Sequence, residues 1–204
     1  MKKGTITGIV IAALLVFLFA GGCSSYNGMV DADQAVEKQW GNVQNQYQRR
    51  ADLIPNLVST VKGYSEHEAN TLESVTRARA GLTEAYNAAQ TASAETKGTA
   101  PENLQQFQQA QEKLQSALGI YVNAVREAYP DLKANQNFLD LQAQLEGTEN
   151  RISTERTRYN EAVETYNKKV LRFPGRLFAS IFNFDAKQMF EADQSAQSAP
   201  KVEF

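Results

Sequence analysis

From Tyr26 onward, apolar and small side chains recur alternately three and four residues apart, a period that commits the chain to helices packed along shallow seams. One seam runs Tyr26, Asp33, Trp40, Tyr47, Ile54, Val61, Glu68, Val75 and Leu82; its companion runs Met29, Val36, Val43, Arg50, Leu57, Tyr64, Thr71 and Ala78. Asp33, Arg50 and Glu68 interrupt the pattern. Each must sit at a rim or meet an opposite charge across helices, because a charge buried alone is strongly destabilising.

Pro55 lies in the middle of this periodic run. Proline lacks an N–H and clashes with the preceding turn, at a cost of about 3 kcal/mol in a helix interior. It fits a first turn, and Asp52 is a good N-cap three residues earlier. The stretch therefore predicts a helix–helix corner built by Arg49, Arg50, Asp52, Pro55 and Asn56. The arginines would face the negative end of one helix dipole and Asp52 the positive end of the next. Length supports a reversal, since an unbroken helix from Asn27 to Gln90 would run roughly 96 Å.

The predicted elements are helices at about 27–50, 53–91, 101–128 and 135–171, then a short aromatic helix at 174–183 and a flexible tail over 191–204. Thr99-Ala100-Pro101-Glu102 reads as a capping box, Tyr129-Pro130-Asp131 as a stop, and Asn135 or Asn137 as a cap. The expected fold is all-α, an antiparallel up-and-down four-helix bundle with coiled-coil-like seams.

The chain begins with Lys2-Lys3 and the uncharged run Gly4–Gly22, rich in Ile, Val, Leu, Ala and Phe. Residues 1–22 read as a signal peptide or a membrane anchor, with the bundle following from residue 23 to about 190. Three readings compete: a lipoprotein signal with Cys23 as the lipidated residue, an ordinary cleaved signal peptide, and an uncleaved single-pass anchor. Ala20, three places before the cysteine, departs from the aliphatic residue usual in lipoprotein signals. All three readings export the bundle, so the expected location is membrane-associated on the periplasmic or extracytoplasmic side. After Gly22, 19 Lys and Arg stand against 23 Asp and Glu, because two of the 21 cations precede the apolar run. That mixed, mildly acidic balance argues against a nucleic-acid partner. One cysteine excludes an intrachain disulfide and a multi-thiolate metal site.

Several motifs converge on one family. They are Tyr26-Asn27, Trp40, the run from Gln46 through Arg49-Arg50-Ala51-Asp52-Leu53-Ile54-Pro55-Asn56-Leu57 to Val58, and Val61-Lys62-Gly63-Tyr64 with His67-Glu68. Ala78-Arg79-Ala80, Glu149-Asn150-Arg151-Ile152, Arg156, Tyr159-Asn160, Tyr166-Asn167 and Phe173-Pro174 follow. On these the chain resembles the LemA family of bacterial membrane proteins across nearly all of the region after Gly22. The resemblance implies a helical bundle behind an N-terminal membrane segment, usually an uncleaved anchor, and no agreed enzymatic role. Cys23 departs from that pattern.

Tyr159-Asn160 and Tyr166-Asn167 are seven apart and share a helix face. They read either as seam tyrosines with register-setting asparagines, the favoured account, or as a polar ladder for a ligand or partner. Glu66-His67-Glu68 holds the only histidine but lacks the second ligand set a metal site in a bundle needs, so it reads as a solvated face. Among the charged motif residues, an Arg50–Glu149 or an Arg151–Asp52 pair across helices is conceivable. Arg176–Phe184, with Phe178 and Phe182, either lids the end of the bundle or offers an apolar face to a partner or bilayer. Val202-Glu203-Phe204 has the spacing of a carboxyl-terminal strand-addition peptide, with Phe204 as its anchor, although a frayed tail explains it as well.

No Ser-His-Asp, Cys-His or phosphate-loop pattern is present. The sequence thus predicts a membrane-tethered, non-catalytic scaffold or adaptor of the bacterial envelope, with no cofactor and with unidentified envelope proteins as partners. A ligand-sensing bundle is the first rival, and a metal-dependent enzyme the second.

Overall fold

The computed structural model describes residues 3–65, 73–96, 100–101 and 103–191. Five α-helices and one 3-10 turn make up the described structure, with no strand among these residues. Helix α1 spans Lys3–Ser65, α2 Glu73–Glu95, α3 Leu104–Ala128, α4 Gln136–Leu171 and α5 Gly175–Phe182. The side chains of most of residues 3–18 fall outside the description. Among the described residues no helix is long and apolar enough to cross a membrane.

The predicted corner at Arg49–Asn56 does not form: α1 runs straight through Pro55. Pro55, Asp52 and Asn56 all lie on the exposed side of α1, opposite the buried Leu53, Ile54 and Leu57. The missing N–H therefore falls on the exposed side of the helix, and the apolar face packs through the defect. Asp52 does not cap a helix; it accepts a hydrogen bond from Gln48 of its own helix at 2.7 Å. The chain does reverse, though not at Pro55: α2 returns alongside α1, and Trp40 and Gln44 donate to the Thr96 carbonyl just past its end, at 3.1 and 2.6 Å. From Met29 to Ser65 α1 is roughly 55 Å long at the standard rise. The 36 residues of α4 match that span, so no earlier reversal is needed.

Helix α1 packs along α4, and α2 packs along α3. Local caps explain the later boundaries. Asn103, not the predicted Thr99–Glu102 box, caps α3 by accepting from the Gln106 amide at 3.3 Å. Asn135 caps α4 through the Phe138 amide at 3.2 Å. Pro130 opens the 3-10 turn after α3, since it cannot continue the helix.

The interior falls into two apolar clusters. One gathers Met29, Val36, Trp40, Val43 and Tyr47 of α1 with Phe107, Ile152, Tyr159, Val163, Tyr166, Val170 and Phe190. The other gathers Leu53, Leu57, Val61, Leu82, Leu114, Tyr121, Phe138 and Leu145. Arg50 lies between them on α1. After α5 the chain turns at Asn183, in the left-handed conformation, and residues 184–191 run extended back along α4.

Candidate functional site

Two polar constellations interrupt the apolar packing. The first is centred on Arg50, whose side chain is only 1% exposed. Its Nη1 donates to Glu149 at 2.9 Å, and its Nη2 donates to both the backbone and side-chain oxygens of Gln111. The Gln111 amide in turn donates to Ser93 Oγ at 3.0 Å and to the Ala89 carbonyl at 3.4 Å. The guanidinium also lies 5.0 Å from the centroid of the Tyr47 ring. One arginine thus ties α1 to α3 and α4 directly, and to α2 through Gln111. Glu149 is 26% exposed, so its carboxylate sits at the rim while the guanidinium is buried.

The second constellation is the surface of α4 that carries the two Tyr-Asn pairs. Asn167 donates through Nδ2 to the Lys187 carbonyl at 2.9 Å and accepts from the Lys187 amide at 2.9 Å. Asn160 makes the same double bond with Phe190, at 3.0 and 2.9 Å. Gln108 of α3 repeats it with Glu191, at 3.1 and 3.2 Å. The Tyr166 hydroxyl donates to the Asp185 carbonyl at 2.9 Å, and Tyr159 to that of Gln188 at 3.4 Å. Arg156 adds a bond to the Glu191 carbonyl at 3.0 Å. Burial pushes the Tyr159 phenol up to about 12, against a smaller opposing pull from Lys187.

Neither asparagine sets register between helices, the favoured expectation; both hold the backbone of an extended segment that the sequence had hidden. The geometry explains why. Seven helical residues advance about 10.5 Å, and three extended residues advance about 10 Å, so rungs at Asn160 and Asn167 meet residues 190 and 187.

Two side chains of the segment are held as well. Lys187 Nζ lies 2.7 Å from Asp33 and 2.9 Å from Glu37, both on α1. Burial lowers the lysine's pKa, but the two carboxylates outweigh it and hold the group above its usual value. Asp33, an interruption in the apolar seam, is thereby accounted for. Phe190 is buried against Trp40 and Tyr159, with ring centroids at 6.2 and 5.4 Å, and the Arg156 guanidinium lies 4.7 Å from its ring. A cleft of about 530 Å³ stays open beside the segment, lined by Asp33, Pro101, Tyr159 and Tyr166.

The remaining predicted residues are dispersed. Arg49 is exposed beside the buried Arg50. Cys23 is an exposed free thiol on α1. Phe178 packs on Gly22, and Phe182 meets the Tyr26 ring at 4.9 Å, so α5 lies against the start of the helical body. Its outer face leaves Leu177, Ile181 and the preceding Phe173 exposed, the last at 83%. Glu66-His67-Glu68 and Val202-Glu203-Phe204 lie outside the described residues. Among the described residues no group of three His, Cys, Asp or Glu gathers as metal ligands would.

These features define, among the described residues, an all-helical body against which the segment 185–191 is strapped by side-chain amides. Residues 39–204 match the LemA family, and the chain belongs to it. The chain is also similar to two magnetosome proteins of Paramagnetospirillum magneticum (strain ATCC 700264 / AMB-1), MamQ 1 and MamQ 2. Each is 33% identical over 76 residues, which is 37% of this chain. The matched stretch spans 28% of the length of those relatives.

Proposed function

We propose that this LemA protein is a membrane-tethered, non-catalytic scaffold or adaptor of the bacterial envelope, built as an antiparallel four-helix bundle. The carrying observation is the continuity of α1 from Lys3 to Ser65. The uncharged run Gly4–Gly22 and the packed body share one helix, so a bilayer holding the first would hold the second stiffly. Exposed apolar side chains support the same orientation: Phe19 at 76%, Phe173, Leu177 and Ile181 project around the end of the body where α5 meets Gly22 and Tyr26. Such a patch suits an interfacial depth better than open water. The shared stretch with the magnetosome proteins supports a common structural module and leaves their cargo to them.

The test is fractionation of cells producing the full chain, followed by an alkaline carbonate wash. The protein is expected in the washed membrane pellet, with its body digested by protease added to spheroplasts. Release into the soluble fraction would overturn the tether, and protection from the protease would overturn the outward orientation. Labelled-lipid incorporation into the parent and Cys23→Ser chains separates the two anchors: label that depends on Cys23 assigns a lipid, and equal labelling assigns the helix.

The cleft beside Tyr159 and Tyr166 favours a second reading, a bundle that senses a ligand there. Calorimetric titration with metabolite pools would support it by a saturable heat that Tyr166→Phe weakens.

A further inference from the structure

We propose that the face formed by α1, α3 and α4 is a peptide-recognition site for an extended partner segment of the form Lys-x-x-Phe, with the chain's own residues 185–191 as its exchangeable resident. The inference rests on the adaptor reading for its purpose and on the strap geometry for its substance.

Recognition splits into a backbone part and a side-chain part. Asn167, Asn160 and Gln108 each satisfy the N–H and the C=O of one residue, at positions 187, 190 and 191. This is the hydrogen-bonding that a sheet edge offers an added strand, supplied here by side-chain amides. It holds any extended chain of the right direction, whatever its side chains. Selectivity comes from two pockets three residues apart. The carboxylates of Asp33 and Glu37 take an ammonium group, and Trp40, Tyr159 and Arg156 enclose an aromatic ring. The intervening Gln188 and Met189 side chains are exposed, which leaves those positions unread.

Three observations mark the resident as exchangeable. Residues 185–191 belong to no helix or sheet, and their backbone bonds named above all go to α3 and α4 side chains rather than to each other. They follow every described helix, so their departure leaves the described packing of α1 on α4 and of α2 on α3 in place. The groove left behind holds amides, carboxylates and hydroxyls that water can satisfy, and one aromatic pocket walled by Trp40 and Tyr159 that an incoming ring refills. A tethered segment has a millimolar effective concentration, so the resident competes against any peptide in trans. An adaptor built this way stays closed until a partner offers the same segment in excess or at high local density.

The experiment uses purified full-length chain in detergent and a fluorescent peptide, Phe-Asp-Ala-Lys-Gln-Met-Phe-Glu-Ala, copied from residues 184–192. Weakening the resident by Lys187→Ala with Phe190→Ala should open the groove to saturable binding, at least about tenfold tighter than to the parent. Lys187→Ala alone leaves the core aromatic in place and serves if the double variant loses helicity. Adding Asn160→Ala and Asn167→Ala should weaken that binding by at least about tenfold, as should replacing the peptide's Lys or its second Phe by Ala. A helical, opened chain that does not bind the peptide overturns the proposal. So does binding that survives loss of both asparagines. A parent dimer that disappears when the resident is weakened, with no peptide binding, would assign the groove to a second copy instead. None of these outcomes involves a membrane, so failure here leaves the tether untouched.

Discussion

Replacing Arg50 by Ala removes the one guanidinium that fastens three helices to each other. The variant leaves Glu149 without its 2.9 Å partner and strips the Gln111 side chain and backbone oxygens of their donor. Breaking a buried ion pair by deleting one member costs about 3–5 kcal/mol, mainly because the other member stays buried and unpaired. Glu149 is 26% exposed and can recover some hydration, which places the cost at the lower end, about 3 kcal/mol. For a chain of this size, that corresponds to a fall in Tm of roughly 6–12 °C. Circular dichroism at 222 nm, with the chain in detergent, reads it directly. Arg49→Ala is the matched control, since Arg49 is exposed one residue away and should move Tm by no more than roughly 2 °C. Arg50→Lys should recover little, because a single ammonium cannot reach Glu149 and both Gln111 oxygens at once. Replacing Arg50, Gln111 and Glu149 together by Met, Leu and Leu should restore most of the loss, as apolar substitutes often do for buried charge networks. Equal melting of Arg50→Ala and Arg49→Ala chains would refute the claim that this layer bears on stability.

Three further outcomes are expected. Pro55→Ala should raise Tm, because α1 is already continuous and alanine restores a helical hydrogen bond, worth up to about 3 kcal/mol; a lower Tm would mean that the proline shapes the helix. Gly175→Ala should lower Tm by the equivalent of about 1–3 kcal/mol, since a Cβ there would run into the Lys169 backbone carbonyl, and an unchanged melt would show that α5 shifts freely. Stability should fall as pH rises above 10, because the unfolded chain releases the Tyr121 and Tyr159 phenolic protons near 10.0 while the folded chain holds them to about 12. Lys187 acts in the same direction: its raised pKa gives stability that is complete below 10.5 and disappears as pH passes the folded value. Thermal melts from pH 9 to 12 should show this slope, and Tyr159→Phe should flatten it; a flat parent profile would refute the assignment.

The helical class was legible because a seven-residue apolar period has few other uses, and α3 and α4 end close to where their Pro and Asn signals stand. The reversal was misplaced for a physical reason. A local rule about proline was applied without the knowledge that Pro55 faces solvent, where its defect costs least and the buried Leu53, Ile54 and Leu57 offset it. Arg50 and Asp33 stood out as charges on an apolar seam, and the structure gives each an opposite charge. The strap was harder to see. Residues 185–191 have neither alternation nor helical period, and their bonds are made by amides whose other partner is backbone, which leaves no mark on the sequence of the segment itself. The sign that existed was the repeat of Tyr-Asn at a spacing of seven: two amides on one helix face, more than a seam needs, call for a partner with a period near 10 Å.

The strap and the Arg50 layer bound the same half of the core from different sides. Arg50 lies over Tyr47, Tyr47 meets Phe107 at 5.2 Å, Phe107 meets Trp40 at 5.2 Å, and Trp40 stacks on Phe190 of the strap at 6.2 Å. Every member of that chain is a large, flat side chain in van der Waals contact with the next, and such packing cannot yield at one point without a neighbour moving. Phe190 supplies the last ring, so the segment completes an aromatic core that α1, α3 and α4 leave short by one side chain. An apolar residue at position 50 would let the aromatic cluster slide against the Leu-rich cluster, whereas a guanidinium bound to Gln111 and Glu149 admits a single register. The arginine fixes where the aromatic half begins, and that in turn fixes how deep the pocket for position 190 lies. A pocket for one aromatic ring is better defined on such a floor, and the most buried charge of the described core lies at the far end of this aromatic chain rather than in the pocket itself.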